Sequence, residues 1–300
     1  MFGVTILGNN SALPAYNRHP TAQVITLNDH LFLLDCGEGT QMQMNLYKVR
    51  RSRINHIFIS HLHGDHYFGL PGLITSYGLL GRVHDLHLYA PSPLQNILGL
   101  QLSVSDTKLP YKLHFHSLEN ETMLIDDEKF SVESFRVFHR IDCWGFIFRE
   151  KRKPRKINLE ATTKYNVPVE FFERLKQGED FIFDDKIISN EILTMPNKPS
   201  KMYAYSADTL FSESLAEKVY NANLLYHEAT YLKDKSDKAI SRFHSTSAQA
   251  ATIAKLANVK KLIIGHFSST YETLDEFLSE AKEIFLNTQL ALEGQTFLIT

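Results

Sequence analysis

The chain has 300 residues, 43% of them hydrophobic, which is length for one large domain or two small ones with a sizeable core. Its formal net charge of −2 does not advertise a nucleic-acid binder, and no run of eighteen apolar residues offers a membrane span. Two cysteines, Cys36 and Cys143, make no disulfide framework and suit a reducing, cytoplasmic setting.

The first residues, "MFGVTILGNNS", carry no basic region before their apolar run and read as a strand rather than a leader. "AQVITL" and "HLFLLDCG" predict a hairpin turning at Asn28 and Asp29. "TQMQMNLYKV" has helical spacing, and Thr40 is placed to cap it. "INHIFIS" predicts a buried strand, "HYFGLPGLITSYGLLG" a helix interrupted at glycines, "LHLYAP" a strand and "SPLQNILGLQLSVSD" a helix. Residues 111–149 alternate as strands do. Residues 150–184 begin basic, turn polar and hold a short helix after Pro168, which marks them as an inserted arm. Strands are then expected at "KMYAYSAD", "LLYHEAT" and "KKLIIGHFS", and helices at "SESLAEKVYNAN", "TSAQAATIAKLANV" and "TLDEFLSEAKEIF". Strands alternating with helices in both halves predict an α/β layered fold.

Fourteen histidines are distributed unevenly, and "SHLHGDH" concentrates His61, His63 and His66 with Asp65 just past a strand end. Gly64 permits the sharp turn between them. Four imidazole and carboxylate donors suit zinc or a related borderline ion, and manganese also accepts them. So short a loop cannot aim all four at one ion, so two adjacent ions are expected. Asp208 and His266 also lie just past strands. A carboxylate there is costly unless paired or ligated.

"HLHGDH" resembles the H-x-H-x-D-H signature of the metallo-β-lactamase fold. With "LDCGEGTQ", "YSADT", "LLYHEAT", "FHST" and "GHFS" in order along nearly the whole length, the chain resembles the ribonuclease Z family. The resemblance implies a four-layer αββα sandwich over residues 1–300, with residues 150–184 as the arm. It implies a zinc-dependent endoribonuclease that removes the 3′ trailer of precursor transfer RNA by attack of a metal-activated hydroxide. The transfer RNA would keep a 3′-hydroxyl and the trailer a 5′-phosphate. His61, His63 and His139 would bind one zinc, Asp65, His66 and His266 the second, and Asp208 both. His114, His116 and His244 compete in sequence character with His139. Asp65 would also orient the attacking water. His244, supported by Glu228, would be the acid for the leaving oxygen, while His227 reads as a residue that orders its loop. The resemblance further implies a homodimer and no membrane association.

Asp35 is expected to support the histidine loop, and Cys36 to be a small buried residue. Ser245, Thr246, Ser268 and Ser269 are equally suited to RNA contacts and to loop packing. The arm's Lys151, Arg152, Lys153, Arg155 and Lys156 would meet phosphates, whereas "YKVRRSR" reads as a solvated surface. The arm lacks the Gly-Pro pair that many members carry, and Thr270 stands where many have arginine. The rival reading is a hydrolase of the same fold acting on small phosphodiesters or sulfate esters; it would need neither the arm nor the His244–Glu228 pair. A scaffold with a dead centre would be expected to lose a ligand, and all seven are present.

Overall fold

The computed structural model describes residues 1–151, 154–184, 186–197 and 199–300. The chain first lays down β1 (Phe2–Gly8), β2 (Ala22–Leu27), β3 (His30–Leu34), β4 (Ile54–Phe58), β5 (Leu86–Ala90) and β6 (Leu113–Ser117). A second series follows, β7 (Thr122–Asp126), β8 (Phe130–Arg136), β9 (Trp144–Glu150), β10 (Met202–Tyr205), β11 (Leu224–Glu228), β12 (Leu262–Gly265) and β13 (Thr288–Leu290). The last strand, β14 (Thr296–Leu298), returns to the first series. Two seven-stranded sheets result, ordered β14-β1-β2-β3-β4-β5-β6 and β13-β12-β11-β10-β9-β8-β7. β3 to β6 are parallel, as are β10 to β13, while the remaining pairings are antiparallel.

Alternation along each strand explains how the sheets stack. Phe146 and Phe148 of β9, Tyr203 and Tyr205 of β10 and Phe32 of β3 meet in one aromatic core between the sheets. Ile147 and Ala204, one residue off, face the other way, toward helices Ser247–Leu256 and Asp275–Ile284. Helices Thr40–Leu46, Leu70–Leu79 and Pro93–Val104 cover the outer face of the first sheet. The order is helix, sheet, sheet, helix, the expected αββα sandwich.

Three differences from the sequence reading have physical causes. β13 and β14 were not anticipated: they are short and lie at sheet edges, so they lack a buried apolar run. The helix expected over 66–81 starts earlier, at Gly64; its break, expected at a glycine, falls at Gly69 between Gly64–Tyr67 and Leu70–Leu79, where the chain bends to bring Gly69 against Gly37. A Cβ on Gly69 would lie 2.2 Å from the Gly37 carbonyl oxygen. Thr40 does not cap its helix; Gly39, at φ +81°, holds the N-cap, and the Thr40 hydroxyl donates to the Gly37 carbonyl.

Between β9 and β10 the chain makes a module with its own small core of Val167, Leu175 and Leu193. Strand Lys156–Ile157 pairs with Thr194–Met195 at its base, so the folded insertion runs past residue 184. Of its basic candidates, Lys151 pairs with Asp126 at 2.5 Å and the Arg155 Nε donates to the Thr194 hydroxyl, while Lys156 is exposed. Arg152 and Lys153 lie outside the described residues. Arg53 of the other basic run is also exposed and donates to the Asp29 carbonyl at the hairpin turn.

Candidate metal centre

Parallel strands end at the same pole of a sheet, and the site is built there. β4 is followed by His61–His66, β10 by Asp208, β11 by Thr230 and β12 by His266. The two sheets are joined at this pole: the Trp144 N–H donates to the Ser60 carbonyl, and the Tyr205 hydroxyl donates to Asp35 Oδ2 at 2.6 Å. Four residues with side chains are held in the left-handed region here, Asp35, Ala207, Phe243 and His266. Such backbone costs roughly 1–3 kcal/mol per residue and persists where the surrounding packing over-determines it.

Two donor groups converge. His61, His63, His139 and Asp208 form one; Asp65, His66 and His266 form the other. In the first, His61 Nε2 lies 3.0 Å and His139 Nε2 3.1 Å from His63 Nδ1. In the second, His266 Nε2 lies 3.3 Å from both His66 Nε2 and Asp65 Oδ2. Asp208 faces both, with Oδ2 3.6 Å from His61 Nε2 and Oδ1 3.4 Å from His66 Nε2. Donors around a tetrahedral zinc at about 2.0–2.1 Å stand about 3.3 Å apart along each edge, so these spacings fit one ion per group. Buried imidazole nitrogens turned toward one another, mostly acceptor to acceptor, also need a cation between them. Of the residues that compete with His139 in sequence character, His114 and His116 sit on β6, where His116 stacks on Tyr89, outside both groups.

Three of the remaining ring nitrogens are held by protein acceptors, which sets their tautomers. His66 Nδ1 donates to Asp35 Oδ2 at 2.8 Å, and His139 Nδ1 to the Phe243 carbonyl at 2.9 Å. His266 Nδ1 donates to the Thr230 hydroxyl, which donates in turn to Glu228 Oε2. These three rings therefore present Nε2 to the metal position, whereas His63 turns Nδ1 inward with its Nε2 beside Arg140. Asp35 also accepts from the Ser60 N–H and hydroxyl, the support expected of it.

Electrostatics separates the roles. Burial pushes the His61 and His63 imidazoles down, His63 to about 4, and leaves them neutral donors. Burial acts against the charge of Asp208, but His266, His66 and His61 outweigh it and hold the carboxylate ionised. Asp65 is likewise held low, against its burial, by His66 and His266. His244 behaves differently: burial lowers it, yet Glu228 raises it to about 9. Its Nδ1 lies 2.8 Å from Glu228 Oε1, and the ring borders the cleft. The Glu228 carboxylate is buried and also accepts from the Thr209 and Thr230 N–H groups.

Other expected roles resolve. His227 is buried, with Nδ1 donating to the Glu228 carbonyl, an ordering role. Cys36 is buried, its thiol pushed up to about 12, and is no donor to the centre. The Ser245 hydroxyl donates to the Thr209 carbonyl and Thr246 caps the following helix, so both are engaged in packing. The Ser268 and Thr270 hydroxyls bond each other. A cleft of about 370 Å³ opens over the donors, with Phe68, Arg140, Tyr231 and Arg242 in its walls. Sequence reasoning passed over all four.

Curated relatives match end to end. A ribonuclease Z of Bacteroides thetaiotaomicron is 44% identical, covering 99% of this chain and 95% of the relative, and one of Porphyromonas gingivalis is 41% identical over 97% of each. Among solved structures, the short form of human tRNase Z aligns with a TM-score of 0.72 at 27% identity over 99% of both chains. The Bacillus subtilis metallo-β-lactamase fold protein YhfI aligns at 0.71 and 19% identity over 99% of this chain and 100% of its own. A family model described as anti-Pycsar protein Apyc1 matches residues 2–195 and so stops before Asp208, Glu228, His244 and His266. The chain therefore belongs to the ribonuclease Z family of the metallo-β-lactamase superfamily, its residues 2–195 falling within the Apyc1 family model as well.

Proposed function

We propose that the protein trims precursor transfer RNA as a zinc-dependent endoribonuclease of the ribonuclease Z type. One observation carries this: a His244–Glu228 acid pair stands beside two donor groups that share Asp208, in a chain 44% identical to a ribonuclease Z over its full length. His61, His63 and His139 would hold one zinc and Asp65, His66 and His266 the other, with Asp208 available to both; manganese suits the same donors. A pair of such cations supplies Lewis acidity toward a phosphodiester and makes water acidic enough to ionise near neutral pH.

The side chains do the rest. Asp65, whose Oδ2 accepts from the Ala12 N–H at 2.7 Å, orients the attacking water and takes its proton. His244 enters protonated and gives its Nε2 proton to the departing 3′ oxygen. Glu228 fixes the ring through Nδ1 and stabilises the cation before transfer. One phosphorus–oxygen bond forms and one breaks, leaving a 3′-hydroxyl upstream and a 5′-phosphate downstream.

Residues 150–184, with Lys151, Arg152, Lys153, Arg155 and Lys156, serve as an arm that grips the transfer RNA away from the cut. The protein works as a homodimer in the cytoplasm. Cys36 and Cys143, both buried thiols, suit that compartment, and no helix among the described residues is long and apolar enough to cross a membrane. The test is to incubate metal-analysed protein with precursor transfer RNAs that have or lack an encoded CCA and map both ends of the cut. Cleavage at the base of the trailer with the stated termini supports the reading. Turnover of a small diester with intact precursor would favour a phosphodiesterase instead.

A further inference from the structure

The cleft wall behind His244 carries charge that the metal centre does not use. Helix Ser236–Arg242 ends there, and Arg242 borders the cleft. Lys238 and Arg242, four apart, share one face of this helix and Lys235 precedes it at the N-cap, while Asp237 lies roughly 120° round the axis from that face. Lys235 Nζ lies 4.4 Å from the ring centroid of Tyr271 and Lys238 Nζ 5.3 Å from that of Tyr231, which itself lines the cleft. Among the described residues, none of the three cations has an ion-pair partner. They form a basic ridge running outward from the reaction cleft.

Arg140 stands in the cleft wall beside His63, its Nη2 3.1 Å from His63 Nε2. His63 Nδ1 faces the other donors. A cation there takes the Nδ1 lone pair and leaves the proton on Nε2. A guanidinium, which only donates, then has no acceptor in His63 and is free for a substrate oxygen.

We propose that the Lys235–Lys238–Arg242 ridge binds the phosphodiester strand upstream of the cut, the transfer RNA body, while Arg140 meets the downstream strand. The assignment rests on the ribonuclease reading. His244 gives its proton to the oxygen that stays with the upstream fragment, so that fragment leaves past His244, and Arg242 is two residues away. The phosphoryl group stays with the downstream strand. The ridge therefore holds product as well as substrate.

The test is equilibrium binding of mature transfer RNA, and separately of a trailer oligonucleotide, to zinc-loaded wild type and to a Lys235→Ala, Lys238→Ala, Arg242→Ala triple variant across a salt series. Mature transfer RNA should bind the triple variant more weakly by on the order of tenfold, with the log–log salt slope reduced by about two to three, one for each lost phosphate contact. Trailer binding should hold, and Lys255→Ala, on another exposed surface, should match wild type. Unfolding midpoint and zinc stoichiometry report the fold; if the alanines destabilise it, glutamine replacements at the same positions give the same readout. Wild-type affinity for mature transfer RNA in the triple variant, or a loss confined to the trailer, overturns the assignment. Wild-type protein that neither binds nor cuts precursor transfer RNA overturns the ribonuclease reading itself, a distinct result.

Discussion

Two buried carboxylates, Asp35 and Glu228, set the protonation of the histidines around them, and their consequences differ. Asp35 accepts from Ser60, Tyr205 and His66, so Asp35→Asn puts a donor against donors while tolerating the left-handed backbone. We expect zinc affinity to fall about 10–100-fold, measured by competition with a chromophoric chelator, with secondary structure kept. His244→Ala should lower kcat by about 10²–10⁴-fold with zinc stoichiometry unchanged; loss of zinc together with activity would make His244 a structural or ligand residue instead. Because Glu228 raises His244 to about 9, the acid form persists through neutral pH and is lost as pH rises through that value. The same pair contributes stability fully below the ordinary histidine range, and this too fades toward pH 9. Cleavage should therefore decline on the alkaline side near pH 9, and Glu228→Gln should move that limb downward; an unmoved limb would assign it to another group. The histidine cluster was legible in the sequence because an apolar core has no use for it. Arg140 and Arg242 were not, since single arginines are ordinary surface residues until a cleft forms beside them.

At the scale of elements, strands with continuous apolar runs, such as β10 and β12, were readable because burial on both faces removes every polar alternative. The arm's later pieces, Asn190–Leu193 and Thr194–Met195, were not, because so small a core leaves little periodicity to read. Contacts between loops were equally invisible: Gly37 and Gly69 lie far apart in sequence, yet the metal loop depends on their close approach. Gly69→Ala would drive a Cβ to 2.2 Å from a backbone oxygen, which no side-chain adjustment relieves. The loop from Cys36 to Gly39 must then shift, with the Cys36 carbonyl that accepts from the Gly69 N–H. We expect destabilisation of about 1–3 kcal/mol by denaturant titration, with weakened zinc binding. A variant as stable as wild type would show that the turn can yield.

The whole molecule poses a question of distance. β9 begins beside Ser60 at the metal pole and ends at Glu150, where the arm departs. Seven residues of strand at about 3.3 Å each put the arm's base roughly 20 Å from the metals, at the opposite pole. A clasp on the same chain's substrate must double back over the sandwich; a clasp reaching from a second subunit need not. The arm is also removable in principle: Arg149 pairs with Met202, and the Glu150 N–H donates to the Lys201 carbonyl. Residues 151–200 can therefore be replaced by a two-residue Asn-Gly turn that closes β9 and β10 as a hairpin at Glu150 and Lys201. That variant should show a raised KM for precursor transfer RNA with zinc retained. An arm-bearing subunit carrying Asp208→Asn should be inactive alone, because the carboxylate facing both donor groups is gone. On the proposed dimer, neither variant should be competent by itself, but a mixed dimer would join an intact centre to an intact arm. With random reassortment half the dimers are mixed and one of their two sites is complete, so activity should recover to about one quarter of wild type at subsaturating precursor. Recovery requires subunit exchange, which size-exclusion chromatography of differently tagged chains reports. Exchange without recovery would place the arm's action within its own subunit, and the path over the sandwich would then be the one the transfer RNA takes.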